Sequence, residues 1–305
     1  MRAMLVGVIA VAAIAAAVVA QRAAERQSSV AKRSMEGQVV LITGSTDGLG
    51  REVARRVAAL GAHVIVHGRN HERGTALVEE IKRTGKGSAR FYAADFSALA
   101  EVRKFADAIL SDHTRLDVLV NNAGIWLSDG RRRVSADGHE MHFAVNYLSG
   151  FLLTRLLLPR LVASAPARII NVSSGSQSAI DFDDVMLQRP GRASYGYGQS
   201  KLAQVMFTFD LASELDATGV VVTALHPATM MDTTLVRASG LAPQSSVDEG
   251  AEAVMNLVTS SEIRNGQYFD GLRPARAHRQ TYDLEARARL KRLSLQLAGL
   301  AAMDR

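Results

Sequence analysis

The chain has no cysteine among its 305 residues, which excludes disulfides, thiol nucleophiles and cysteine-ligated metal centres. Cysteine-free chains are tolerated in any compartment, so this absence does not place the protein. Residues 37–305 also lack internal repeats and low-complexity linkers. With 48% hydrophobic residues, that length suffices for one large core. Nucleic-acid-binding motifs are missing, and the formal charge of +6 is not where a nucleic acid would need it. Residues 1–36 carry five basic and two acidic side chains, residues 264–305 carry nine and four, and the stretch between has two acids in excess. Neither a nucleic-acid partner nor a metal is expected. Basic chain ends suit an anionic membrane surface instead.

Charge is also absent from Ala3 to Ala20, eighteen residues of which eight are alanine; as a helix they span about 27 Å, just enough for a hydrocarbon core. A signal-anchor helix, a cleaved signal peptide ending near Val18-Val19-Ala20 and an apolar helix resting on the domain all fit this segment. Arg22, Arg26, Lys32 and Arg33 follow it, while only Arg2 and the amino group precede it. That asymmetry is expected to leave the following domain in the cytoplasm. The expected organisation is a hydrophobic anchor with a basic linker over 1–34 and a catalytic domain over 35–305.

Short apolar runs rich in branched residues lie at 38–43, 63–67, 90–93, 116–120, 169–172 and 220–225. Helical patterns at 70–84, 97–112, 136–164 and 197–217 separate them. This alternation predicts an α/β fold, a doubly wound parallel sheet of Rossmann type with helices on both faces. Ligands of such sheets bind beyond the carboxyl ends of the strands. Gly44, Arg69, Asp95, Asn121, Ser174 and Pro227 fall at those ends in turn.

Two clusters carry chemistry. Tyr197 precedes Lys201 by four residues, so on a helix both side chains share one face. A fixed ammonium beside a phenol stabilises the phenolate and draws its pKa from near 10 toward neutrality. The second cluster is Gly44-Ser45-Thr46-Asp47-Gly48-Leu49-Gly50 between a strand and a helix. A glycine-rich turn at a helix N-terminus lets backbone N–H groups receive a pyrophosphate. Its spacing, Gly-x3-Gly-x-Gly, is not that of the commonest dinucleotide fingerprint.

Thr43-Gly44…Gly48…Gly50, Asn121-Asn122-Ala123-Gly124, Asn146, Ser174 and Tyr197…Lys201 occur in the order and approximate spacing of the short-chain dehydrogenase/reductase family, which the chain resembles from about Gly37 to Leu300. Phe143–Leu148, Arg168–Ser174 and His226-Pro227 look most like the branch that holds the membrane-associated retinol dehydrogenases. The resemblance implies a hydride transfer between a nicotinamide cofactor and an alcohol or carbonyl. It makes Tyr197 the acid/base, Lys201 its modulator and ribose ligand, and Ser174 the hydroxyl that orients the substrate oxygen, with Ser173 a strand-end neighbour. Asn146 would hold a water that relays protons beyond Lys201. Gly44, Ser45, Asp47, Gly48, Leu49, Gly50, Arg69, Asp95, Asn122, Ala123, Gly124 and Pro227, with Tyr197 and Lys201, would surround the cofactor.

Cofactor choice turns on His67-Gly68-Arg69-Asn70. No acid stands there to bind a ribose 2′-hydroxyl, and an arginine suits a 2′-phosphate. NADP is the expected cofactor and NAD the alternative, although Asp47 occupies a place where NADP-preferring relatives often carry a basic residue. Asp95 suits either an adenine contact or the cap of the following helix. Pro227 is followed by Ala228 where the family has glycine, so the backbone there is expected to differ. Thr229 and Thr233 stand nearby as candidate ligands or ordinary loop residues.

Met230 to Ser246 is the expected substrate lid, and its Met230, Met231, Leu235, Val236 and Leu241, with Trp126, suit a small lipophilic alcohol or carbonyl such as a retinoid, steroid or fatty aldehyde. Ala286, Leu290, Leu293, Leu297 and Leu300 follow helix spacing amid arginines and a lysine. Such a helix either lies on an anionic membrane or covers a domain face. Relatives are commonly dimers and tetramers, so a homo-oligomer is compatible with the resemblance. The rival function is a cofactor-binding sensor or scaffold with little turnover.

Overall fold

The computed structural model describes residues 34–300. The apolar segment 3–20 and most of the linker after it lie outside the described residues, and the anchor, signal and packed-helix readings with them. Among the described residues no helix is long and apolar enough to cross a membrane.

Eight strands form one sheet: β1 (Val39–Ile42), β2 (His63–Gly68), β3 (Ser88–Ala93), β4 (Val118–Asn121), β5 (Ala167–Val172), β6 (Val220–His226), β7 (Gln267–Asp270) and β8 (Arg273–Pro274). Their order is β3-β2-β1-β4-β5-β6-β7-β8. All neighbours are parallel except β7 and β8. The strand order reverses between β1 and β4, and a crevice opens at that switch point. Period-two alternation loads both faces of the sheet. Leu41, Ile65, Leu119 and Ile169 enter one core with Phe105, Leu152 and Leu202. Val40, Ile42, Val64, Val66, Val118 and Val120 enter the other with Val53, Val57, Leu77 and Val254. The expected doubly wound sheet is the one found.

Helices α1 (Gly48–Ala59), α2 (His71–Thr84) and α7 (Val247–Thr259) cover the second face. Helices α3 (Leu99–Asp112), α4 (Ser149–Ala163) and α5 (Gly196–Glu214) cover the first. A short α6 (Thr234–Ala238) follows β6, and α8 (Leu284–Leu297) closes the described chain. Local chemistry sets the starts: Asp47 in extended backbone accepts the Gly48 N–H at 2.8 Å, and Asn70 accepts the Arg73 N–H at 2.8 Å.

One predicted helix begins late. Residues 136–140 are not helical, because the Ser135 hydroxyl accepts the Asp137 and His139 N–H groups and offers the backbone another partner. The chain then makes a π-helical turn over Phe143–Leu148 before α4 starts. That wide turn carries Asn146 into the interior, with 2% of its surface exposed.

The C-terminal helix has one use. Ala286 and Leu290 are buried, and Leu293, Leu297 and Leu300 pack on the same core. The Tyr147 hydroxyl meets the Ser294 hydroxyl at 2.7 Å beneath it. The membrane contact expected as one option for this helix is therefore corrected, since the apolar side that a membrane would need is spent on the domain. Glu214 of α5 fastens it, receiving Arg155 of α4 at 2.5 and 3.1 Å and Lys291 of α8 at 2.5 Å. Arg155 is 4% exposed in its side chain, so Glu214→Ala strands a buried cation. The variant is expected to lose about 3 kcal/mol of stability in urea unfolding, whereas removing the exposed Lys104–Glu101 pair is expected to cost almost nothing.

Candidate active site

A cleft of about 1250 Å³ opens at the carboxyl ends of the strands. Its floor is a knot of hydrogen bonds between β1 and β4. Asn122 donates from Nδ2 to the Thr43 and Gly44 carbonyls (2.8 and 3.1 Å), and the Thr43 hydroxyl accepts the Asn122 and Ala123 N–H groups, both at 2.9 Å. Two glycines permit this approach. A Cβ on Gly50 would stand 2.4 Å from the Gly44 oxygen and 2.5 Å from Asn122 Nδ2, and one on Gly44 would stand 2.8 Å from the Ala123 backbone. The Gly48 N–H is taken by Asp47, and the next first-turn positions of α1, Leu49 and Gly50, line the cleft, a ready anion site.

Gly44, Asp47, Gly48, Leu49, Gly50, Asn122, Ala123, Gly124 and Pro227 all line the cleft, as do Arg69 and Asp95 at its outer end. Ser45 does not, which corrects its expected place: it is fully buried, and its hydroxyl accepts the His67 N–H at 3.0 Å. His67 completes that joint. Its Nδ1 accepts the Gly44 N–H at 3.0 Å, so Nε2 carries the proton and faces the Ala94 carbonyl at 3.2 Å. Burial lowers the His67 pKa to about 4, consistent with a neutral ring that braces the loop.

Asp47 does not stand alone as an acid at the cleft. It holds Arg73 of α2 at 2.9 Å, so an arginine from outside the glycine loop hangs over the same rim as Arg69. Arg69 lies 3.9 Å from Asp95. Of the two uses open to Asp95, capping is corrected: the Leu99 N–H at the start of α3 is accepted by Asp137 at 2.9 Å, while Asp95 accepts Ser97 N–H.

At the inner end three side chains converge. Ser174 follows β5, its carbonyl held by Tyr268 (3.1 Å) and Gln177 (2.9 Å) and its hydroxyl accepting the Ser176 N–H at 3.1 Å. Ser173 is turned inward and donates to the Lys201 carbonyl at 2.7 Å. Tyr197 and Lys201 lie one helical turn apart on α5, with Nζ 5.7 Å from the phenol ring centre; Tyr195 points outward, 46% exposed under Arg192. The expected drift of the phenol toward neutrality is not what the isolated chain has. Burial raises the Tyr197 pKa, and the hydrogen bond with Ser174 only partly offsets it. Burial also lowers Lys201 to about 7, since an ammonium in a dry site is itself costly. Lys201 donates to the Val172 carbonyl and to Gln204 Oε1, both at 3.0 Å.

Asn146 does not line the cleft. Its Oδ1 accepts the Ile125 N–H at 2.7 Å and its Nδ2 faces the Ile125 carbonyl (3.1 Å) and Ser200 hydroxyl (3.0 Å). Trp126 forms one wall, its ring 5.6 Å from that of Tyr197. The segment expected as a lid is tied to itself by hydrogen bonds. Asp232 N–H donates to the Ser245 carbonyl (3.0 Å), Gln244 N–H to the Met230 carbonyl (2.9 Å), and the Ser245 hydroxyl to the Thr229 carbonyl (2.7 Å). Met230, Met231, Leu235 and Val236 face the cleft, while Leu241 is 47% exposed and lies outside it. The missing family glycine is absorbed differently from expectation: Ala228 stays out of the left-handed region, and Met230 takes it instead (φ 46). Thr233 accepts the Val236 N–H as the cap of α6, and Thr229 faces His226 Nε2 at 3.0 Å.

Arg73, Gln204 and the brace at His67 were not legible as site residues. Arg73 reads as a solvated helix residue and Gln204 as one polar residue among many, and only chain packing brings Arg73 to the cleft and Gln204 to the Lys201 ammonium.

The family model for short chain dehydrogenase matches residues 38–243. Retinol dehydrogenase 13 of Mus musculus is 36% identical over 296 residues, covering 88% of this chain and 86% of that protein. Retinol dehydrogenase 12 of Homo sapiens is 35% identical over 280 residues, covering 87% and 88%. A crystal structure of a protein from Mycobacterium paratuberculosis superposes with a TM-score of 0.72 at 30% identity, over 88% of this chain and 95% of that one. The NADP complex of Pseudomonas aeruginosa RhlG does so with 0.65 at 26%, over 78% and 96%. The chain belongs to the short-chain dehydrogenase family, within its retinol dehydrogenase-like branch, and is an oxidoreductase.

The buried lysine has a measurable cost. Its folded pKa near 7 lies below the ordinary 10.5, so folding expels a proton between those values and stability falls as the pH drops through that window. Lys201→Met is expected to stabilise the fold by up to about 4 kcal/mol. The gain is full below about pH 7 and shrinks toward pH 10.5, as followed by urea unfolding across that range; a gain independent of pH would contradict the assignment.

Proposed function

We propose that the protein transfers a hydride between NADP(H) and a small lipophilic alcohol or carbonyl compound, with Tyr197 as the acid/base. The observation that carries this reading is the convergence of Ser174, Tyr197 and Lys201 at one end of a cleft whose other end is a glycine-lined helix N-terminus flanked by arginines. A bound nicotinamide supplies or accepts the hydride; the chain's own residues bind, orient and move the proton. The first turn of α1 receives a pyrophosphate, and the absence of room for a Cβ at Gly50 makes that cradle.

Ser174 orients the substrate oxygen toward Tyr197, which gives its proton in the reduction and recovers it in the oxidation. Lys201 stands behind the phenol and stabilises its deprotonated form. In this reading Asn146 acts by holding the Ile125 backbone and Ser200 around the lysine, and any relay water it serves adds to those bonds.

Arg69 and Arg73 support NADP over NAD. With no acid at the end of β2 and Asp47 paired to Arg73, two guanidinium groups stand at the rim that would meet a ribose 2′-phosphate. The substrate reading rests on Trp126, Met141, Val145, Met230, Leu235 and Val236 around the inner end, a wall suited to lipophilic groups. The retinol dehydrogenase relatives point to the same substrate class. A lipophilic substrate and the uncharged stretch Ala3–Ala20 with its trailing basic residues together support a membrane tether with the domain on the cytoplasmic side.

Tyr197→Phe is expected to abolish turnover of lipophilic aldehydes by at least about 100-fold while leaving NADPH binding by isothermal titration intact. Unchanged turnover would remove the acid/base assignment, and binding without turnover in the parent protein would favour a sensor. Arg69→Ala and Arg73→Ala are each expected to raise KM for NADPH about tenfold, the worth of one charge-assisted hydrogen bond, with KM for NADH nearly unchanged. Equal effects on both cofactors would show that these arginines do not read the phosphate.

A further inference from the structure

Glu140 and His142 are buried to 2% and 3% exposure, lie behind the cleft wall, and have no part in the chemistry described above. Their hydrogen bonds permit one protonation arrangement. The Leu127 N–H donates to His142 Nε2 at 3.0 Å, so that nitrogen is an unprotonated acceptor and the proton sits on Nδ1. Nδ1 then donates to Glu140 Oε1 at 2.9 Å, and Glu140 Oε2 accepts the Phe143 N–H at 2.8 Å. A carboxylate only accepts, so Glu140 enforces the tautomer that frees Nε2 for Leu127.

The pair stands where three elements meet. It ties the loop after β4 to the start of the π-helical turn, and the first residue of α5 rests directly on it. A Cβ on Gly196 would lie 2.8 Å from His142 Nδ1 and 2.9 Å from Glu140 Oε1. The next residue is Tyr197, whose ring meets the His142 ring edge-on at 6.2 Å. Trp126 sits between two pinned neighbours, Ile125 held by Asn146 and Leu127 held by His142. Its indole is thereby fixed against Tyr197.

We propose that Glu140 and His142 are a positioning pair that holds the Trp126 wall against Tyr197 and so sets the width of the substrate end of the cleft. Neither residue touches the reacting atoms; both act through the Leu127 backbone. A loosened wall leaves the Tyr197 phenol in place but costs a bulky lipophilic substrate its contact surface. The expected signature is therefore a KM effect that grows with substrate size, while kcat is nearly spared. This selectivity half rests on the proposed reading of the cleft as a carbonyl or alcohol site; the effect on Trp126 does not.

Trp126 is the sole tryptophan of the chain, so intrinsic fluorescence of the full-length protein reports this wall without cofactor or substrate. In Glu140→Gln and His142→Leu, we expect emission to move to the red and acrylamide quenching to rise about twofold or more, with KM for a bulky aldehyde up about tenfold and KM for a small one little changed. His142→Gln, whose amide accepts from Leu127 and donates to Glu140, is expected to restore the parent behaviour. Should the buried substitutions prevent folding, an amide-to-ester replacement at Leu127, with the α-hydroxy analogue of leucine incorporated there, deletes only the N–H donor and is expected to give the same red shift. Unaltered emission and quenching in the folded variants would overturn the positioning role, even if the protein shows no turnover at all. Altered emission with KM unchanged for every substrate size would overturn the claim that the pair sets the width of the cleft.

Discussion

Asn122 gives both protons of its amide to the Thr43 and Gly44 carbonyls, and that contact joins the two halves of the sheet at the point where strand order reverses. The carbonyls at the ends of buried parallel strands must find partners or leave an unsatisfied group in the interior. Asn122 and Thr43 answer that need, and in doing so they draw the loop after β1 against the loop after β4. The close approach excludes any side chain at Gly50. With α1 seated so near, its unpaired N–H groups, Asp47 and Arg73 all come to the rim of one cleft. The lysine, phenol and serine at the other end depend on the same seating, because α5 and the end of β5 border the same crevice.

Buried polar groups account for much of what the cleft can do, and for much of its cost. Lys201, Asn146, Gln204, His67 and Glu140 are all nearly inaccessible, and each has hydrogen-bond partners. Burial pushes the lysine down and the phenol up, both toward their neutral forms. A site so arranged is dry, rigid and expensive, which is the usual balance between stability and preorganisation. The paired amides and carbonyls hold the ionisable groups in position at the expense of their charge. An anionic ligand in the cradle would change that field.

Electrostatics at the outer rim show how misleading a single position can be. Asp47, read along the chain, argues against a phosphate at the ribose. In three dimensions its carboxylate recruits Arg73 from the neighbouring helix, so its charge is offset at the rim where Arg69 meets Asp95 at 3.9 Å. The C-terminal helix makes a similar point. Its basic, amphipathic pattern fits a membrane and a domain face equally well, and Glu214 together with the core beneath Ala286 and Leu290 makes it a domain face.

Sequence alone determined the doubly wound sheet, the glycine cradle and the Tyr197–Lys201 pair, because these depend on local periodicity and on spacings within one turn or one helix; Ser174 entered only through the family resemblance. Period-two strands, a glycine turn before a helix and an i, i+4 pair are written in contiguous residues, so no tertiary information is needed to read them. Only the tertiary structure decided that Ser45 faces inward while Thr46 faces the cleft, that Asp137 rather than Asp95 caps α3, and that residues 136–140 stay out of the helix. It likewise decided the contacts of Asn146, Gln204, Arg73 and the Glu140–His142 pair. Each of these rests on a hydrogen bond or ion pair whose partner is set by packing rather than by the pattern around the residue. Competition among several nearby acceptors for one buried N–H is settled by which of them the folded chain brings within about 3 Å, a quantity that periodicity does not contain.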